Sequence, residues 1–103
     1  MEIRTTEAYQ KWFDKLADDR AKARIRVRIR RLEKGNPGDV KPVGDGISEI
    51  RIDYGQGYRL YYKTATGCQD TGREIVILLC GGDKSTQQTD IAKAKTLAAQ
   101  WMS

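Results

Sequence analysis

An α+β fold is predicted, ordered as a short N-terminal strand, a helical hairpin, a three-stranded antiparallel sheet and a C-terminal helix. Three observations predict it. Apolar residues recur at three- and four-residue intervals before residue 36, two alternating runs flank Gly55-Gln56-Gly57, and an apolar run over Glu74 to Cys80 precedes a helix-capping pattern. At 103 residues the chain is expected to form a single domain, 1–103, with one modest core. No internal repeat, low-complexity tract or linker divides it.

Glu2 to Thr5 reads as a short edge strand. Thr6 is a plausible N-cap for a helix that places Tyr9, Trp12, Phe13 and Leu16 on one face. Asp18 or Asp19 caps a second helix, which Gly35-Asn36-Pro37 ends. Within it, Arg24, Arg26, Arg28 and Arg30 alternate with Ile25, Val27 and Ile29, a strand-like pattern. Ala21, Ile25, Ile29 and Leu32 nevertheless satisfy helical spacing, and the acidic start and glycine end favour the helix. Its basic outer face is either simply solvated or meets RNA or the ribosome.

Asn36 to Gly46, with Pro37, Gly38, Pro42, Gly44 and Gly46, is expected to be an irregular connection. Ser48 to Tyr54 and Gly57 to Thr64 then form a hairpin. Side chains alternate faces in a strand, so Glu49, Arg51, Asp53, Arg59, Tyr61 and Lys63 share one face, while Ile50, Ile52, Tyr58, Leu60 and Tyr62 take the other. The polar stretch Ala65 to Arg73, containing Cys68, reads as a loop. Glu74 to Cys80, apolar on both faces, reads as an interior strand. Gly81-Gly82-Asp83-Lys84 reads as a turn. Ser85 and Gln88 form a capping box for a last helix whose buried side carries Ile91, Ala94, Leu97, Ala98 and Trp101.

Nineteen Lys and Arg against fourteen Asp and Glu leave a net charge of +5. Residues 1–35 hold eleven basic and six acidic groups, so the surplus lies in the N-terminal third. Such a balance favours acidic partners, nucleic acid among them. The chain has no histidine, and Cys68 and Cys80 lack the spacing of a zinc site. That argues against zinc and leaves no histidine base or histidine-activated nucleophile. No cofactor or metal is expected. There is no apolar run near about eighteen residues and no signal-peptide pattern, so a cytoplasmic protein away from membranes is expected.

Arg51 and Arg59 offer planar donor forks suited to phosphate, and Lys63 adds a point charge. Lys84 stands at the glycine turn before the last helix, where backbone donors also favour an anion. Tyr54 and Tyr61 are candidates to stack on unpaired bases, which points to RNA more than to duplex DNA. RNA supplies its own nucleophile, the 2'-hydroxyl. Its attack on the neighbouring phosphate needs a base, positive charge for the phosphorane oxygens and an acid for the leaving 5'-oxygen. Without histidine, Lys84 or a carboxylate such as Asp83 must move the protons, and a lysine base needs burial or nearby cations. Each residue also has a structural reading. Arg51 and Arg59 pair with Asp53 and Glu49 across the strands, the tyrosines simply pack, and Asp83 is a local cap.

The run Gly46 to Tyr62, followed by Leu78-Leu79-Cys80-Gly81-Gly82-Asp83-Lys84-Ser85 and the helix from Gln88 to Ala94, resembles the RelE/ParE toxin superfamily. Together with Gly35 to Gly44, it is similar to the HigB-like branch known as addiction-module killer proteins. The resemblance covers nearly the whole chain. It implies a bacterial type II toxin, neutralised by an antitoxin that in this branch is commonly a helix-turn-helix DNA-binding protein. DNA would then be met only through that antitoxin. Relatives in the RelE and HigB branches cleave mRNA in the ribosomal A site, so the implied activity is a metal-independent endoribonuclease, with mRNA and ribosome as partners. In the RelE pattern the arginine of the Tyr-Arg pair in the second hairpin strand falls on Arg59, and the basic residue after the last strand falls nearest Lys84. Arg51 matches one member of a basic pair whose other place holds Glu49. A C-terminal catalytic tyrosine has no match. The ParE branch of the same fold inhibits DNA gyrase without cutting RNA, and a non-catalytic RNA- or antitoxin-binding module is the third alternative.

Overall fold

The computed structural model describes residues 2–66 and 74–102, and Cys68 and most of the predicted loop from Ala65 to Arg73 lie outside the described residues. In chain order the elements are β1 (Glu2–Thr5), α1 (Glu7–Lys15), α2 (Asp19–Glu33), β2 (Val40–Gly44), β3 (Ile47–Ile52), β4 (Tyr58–Thr66), β5 (Glu74–Asp83) and α3 (Gln87–Met102). A single 3-10 turn, Lys84–Thr86, links β5 to α3. The fold class is α+β, and its sheet is larger than the sequence suggests. Five strands run in the order β1-β5-β4-β3-β2. β1 pairs parallel to β5, and the other neighbours are antiparallel.

Two departures account for the extra strands. β1 joins the sheet beside β5, where the backbone N–H of Thr6 bonds the Leu78 carbonyl and its hydroxyl bonds that of Leu79. Val40–Gly44 is a strand and not an irregular link, because its Pro42 sits on the outer edge, where a missing N–H costs the ladder little. Gly44, Asp45 and Gly46 all have positive φ and make the turn into β3.

Both sheet faces are covered. Ile50, Ile52, Tyr58, Leu60, Tyr62, Val76 and Leu78 pack against Tyr9 of α1 and Ala21, Ile25 and Leu32 of α2. On the opposite face Ile47, Tyr61, Ile77, Leu79 and Cys80 meet Ala94 and Ala98 of α3. α1 and α2 meet where Phe13 lies under Lys22 and Arg26, but each rests its apolar stripe on the sheet. They are therefore two helices on a shared platform and not a free hairpin. Residues 19–33 are helical because burying Ile25 and Leu32, at roughly 1.5–3 kcal/mol each, rewards the 3.6-residue period over the alternating one. Thr6 and Asp18 cap α1 and α2 as their side chains predict. Among the helices of the described residues, none is long and apolar enough to cross a membrane.

The C-terminal junction differs from expectation. β5 continues through Gly81 and Gly82 to Asp83, with Gly81 paired to Leu60 and Gly82 to Arg59. A Cβ at Gly81 would run into the Trp12 ring, and one at Gly82 into the Asp90 carboxylate and the Thr86 hydroxyl. These glycines let α1 and the start of α3 approach the strand; they do not make a turn. Asp83, not Ser85, supplies the cap, with Thr86 returning the bond. Trp101 is 40% exposed and does not join the buried side of α3.

A Gly81→Ala change is expected to cost about 1–3 kcal/mol in chemical unfolding, the usual range for overpacking. Adding Trp12→Leu should recover part of that loss. An additive, unrecovered double variant would show that the indole is not what meets the new methyl.

Candidate functional site

The site begins with strand register. β3 and β4 place Arg51 opposite Arg59 and Glu49 opposite Tyr61, all on the face that α3 covers. The predicted open polar face is thus half roofed. Glu49 is fully buried and Tyr61 has no exposed surface.

Glu49 is the hub beneath this roof. Its Oε1 accepts from Arg51 Nε at 3.0 Å and from an Arg59 terminal nitrogen at 3.1 Å. Its Oε2 accepts from the Tyr61 hydroxyl at 3.1 Å and from Gln87 Nε2 at 2.8 Å. Four donors match the lone-pair capacity of one carboxylate. Burial pushes the Glu49 carboxyl up, but the bonds from Gln87, Arg51 and Tyr61, with the nearby Arg59 charge, hold it below the usual carboxylate range. Tyr61 is raised by burial and by the Glu49 charge and stays a neutral phenol donor. It packs and bonds, and offers no ring for a base to stack on.

Above this hub lies a cavity of about 300 Å³, lined by Arg51, Arg59 and Lys84 together with Asp39, Asp53, Gly57 and Tyr58. The three cations singled out in the sequence therefore share one pocket. Lys84 reaches it because Tyr58 pairs with Asp83 at the end of β5, and because Gly57 leaves room, its absent Cβ lying 3.4 Å from that of Lys84. The Arg59 side chain is only 12% exposed, against 39% for Arg51. Arg59 Nε is buried with no hydrogen-bond partner among the described residues. The pocket thus combines a nearly enclosed guanidinium, a half-open one and an exposed ammonium.

Other predicted residues lie elsewhere. Tyr54 carries the Arg24 guanidinium 4.6 Å above its ring and points its hydroxyl at Asp18, 3.5 Å away, outside the pocket. Lys63 is four residues along β4 from Arg59, roughly 13 Å at strand rise, and does not line the pocket. Asp83 accepts from the Ser85 N–H at 2.8 Å and from its hydroxyl at 2.5 Å, so its carboxylate is used as a cap. The Arg59–Glu49 pair anticipated as an exposed cross-strand contact exists, but buried. Cys80 is buried and its thiol is pushed up to about 12 by burial and by the Asp90 charge, which disqualifies it as a nucleophile at neutral pH.

Two participants, Asp53 and Glu49, are legible in the sequence as partners on the polar strand face but not as parts of a site, since they alternate with Arg51 on one strand. Two others, Asp39 and Gln87, are not legible at all, because a loop and a helix end reach the pocket floor and rim only through tertiary packing. Formally, the charges of Arg51, Arg59 and Lys84 are balanced by those of Asp39, Asp53 and the buried Glu49. The pocket is bipolar, not a simple phosphate trap.

Residues 11–102 match the family described as phage derived protein Gp49-like (DUF891). An uncharacterized protein of Haemophilus influenzae is 54% identical over 100 residues, covering 97% of this chain and 95% of the relative. No solved structure gives a significant match. The Gp49-like match overturns the RelE/ParE, HigB-like assignment, because this is a different family.

Glu49→Gln should lower stability at pH 7 by roughly 2–4 kcal/mol, below the full cost of breaking a buried pair because Arg51 is partly solvated. The Glu49 carboxyl is depressed in the folded chain, so its contribution is complete above the unfolded glutamate value of about 4.3 and disappears as pH falls through the lower folded value. Denaturant unfolding from pH 7 to 3 should therefore show the wild-type advantage shrinking in the acid range. An advantage constant with pH would mean that the Glu49 carboxyl is not depressed in the folded chain.

Proposed function

The chain belongs to the phage-derived Gp49-like family, and from that premise we propose that it is the toxin of a bacterial type II toxin–antitoxin system, acting as a ribosome-dependent mRNA endoribonuclease. The relation of Gp49-like proteins to toxin–antitoxin systems supports the toxin role. The observation that carries the chemistry is the bipolar pocket, where Arg51, Arg59 and Lys84 face the carboxylates of Asp39 and Asp53 around about 300 Å³. That volume is at the small end for ligand pockets and suits a phosphodiester with part of its sugar.

In this reading Arg59 and Arg51 hold the non-bridging oxygens of the scissile phosphate and stabilise the phosphorane. The 2'-oxygen attacks phosphorus and its proton passes to the Asp53 carboxylate. The bond to the 5'-oxygen breaks as Lys84 delivers a proton to it, leaving a 2',3'-cyclic phosphate and a 5'-hydroxyl. Asp53 replaces Asp83 as the acid–base carboxylate, since Asp83 is engaged as a cap. Glu49 does not touch substrate; it fixes the two guanidiniums from below. Because the pocket's formal charges cancel, attraction for free RNA is weak and the ribosome must supply the positioning, which is worth much of the barrier in such reactions. The cognate antitoxin, mRNA and ribosome are the partners this reading requires, with DNA met only through the antitoxin, in the cytoplasm.

Inducible expression with mapping of mRNA 5' ends tests the reading. Wild type should cut within translated codons. Lys84→Ala and Asp53→Asn should each lower cleavage by about 10²–10⁴-fold, the usual weight of a proton-transfer group. Lys84 is the cleaner site because it is exposed, whereas Arg59→Ala also strips a partner from buried Glu49. Growth arrest with intact transcripts and trapped gyrase–DNA complexes would remove the nuclease in favour of a gyrase inhibitor. Intact transcripts with no arrest would leave a binding module.

A further inference from the structure

A second and larger concavity, about 560 Å³, runs between α2 and the end of β3. Ala23, Val27 and Ile52 form its apolar floor, and Arg20, Arg24 and Arg31 are among its walls. On α2 these positions make a stripe about 120° around the axis from the buried Ala21, Ile25 and Leu32. Val27 is 45% exposed in the middle of that stripe. Arg20, Arg24 and Arg31 form no ion pair among the described residues. Arg28 beside them is spent on the carbonyls of Arg51, Pro37 and Asp39 and acts as a structural tie.

We infer that this groove docks an acidic amphipathic protein segment, with aliphatic side chains on Val27 and Ala23 and carboxylates on Arg20, Arg24 and Arg31. Charge complementarity selects acidity, since the basic excess of the chain is concentrated in residues 1–35. The apolar floor selects protein over nucleic acid. A phosphate backbone gains nothing from a valine and an alanine, and the Tyr54 ring that could stack on a base already carries Arg24 at 4.6 Å. Guanidiniums around a small apolar centre are the arrangement of a protein interface with an aliphatic anchor and a charged rim. Ile52 and Asp53 also wall the Arg59 pocket, so a segment that continues past them lies across its mouth. The groove holds such a segment whether or not that pocket cuts RNA.

Fluorescence anisotropy on the full chain tests this with three probes: a helical peptide carrying Glu on one face and Leu on the other, an oligoglutamate of equal charge, and a short oligouridine. The amphipathic peptide should bind at least about tenfold tighter than oligoglutamate, the increment expected from burying an aliphatic contact. Val27→Asp should weaken it about tenfold, and the double change Arg20→Glu with Arg31→Glu should do the same. Lys41→Glu, an exposed charge reversal on β2, should leave it within about twofold. Equal binding of the two acidic peptides, an equal loss with Lys41→Glu, or no saturable binding of the amphipathic peptide overturns the assignment. Tighter binding of oligouridine that is indifferent to Val27→Asp would transfer the groove to nucleic acid.

Discussion

A buried carboxylate with four donors organises this molecule's candidate chemistry. Taking Glu49 out of water costs several kcal/mol. Two guanidiniums, a phenol and an amide offset that cost, and charge-assisted bonds are worth about 1.5–3 kcal/mol each. The arrangement works only as a whole. β3 supplies the carboxylate and one arginine, β4 the other arginine and the tyrosine, and α3 closes the set with Gln87. Any shift of α3 relative to the sheet would leave a charge buried without its full complement, so the hub ties the helix to the hairpin as well as aiming the arginines.

The second constraint is the end of β5. This strand lies between β1 and β4 and is covered on both faces, yet it must deliver Lys84 to the rim of a pocket built mainly by the neighbouring hairpin. Gly81 and Gly82 make this possible. Their missing side chains admit Trp12 from one face and Asp90 from the other, so the strand stays extended to Asp83, and the 3-10 turn then throws the lysine outward. Packing and function meet in the same dipeptide, one link carrying stability and the next placing a charge.

Much of this was legible before any coordinates. Thr6 and Asp18 announce their helices because a side-chain acceptor at a helix start is a local device. The hairpin and its facing arginines follow from alternation. Val40–Gly44 was illegible because a proline and glycines suppress the strand signal, although an edge strand tolerates both. The 81–84 segment misled for the opposite reason: paired glycines suggest a turn, but here close approach by other elements required them. The hairpin and post-strand motifs also suggested a family that the match over residues 11–102 replaces with the Gp49-like one.

Residue order alone determined the α+β class, most of the helix and strand positions, the basic N-terminal third and the identity of three pocket cations, since periodicity, caps and charge are written within a few residues of one another. Only the tertiary structure decided that α3 roofs the polar face, that Glu49 sits charged and saturated beneath it, that Tyr61 is sealed while Tyr54 packs under Arg24, and that Asp53 shares the pocket where Asp83 does not. Those outcomes depend on contacts between segments many residues apart, where burial and register rather than residue type set what a side chain can do.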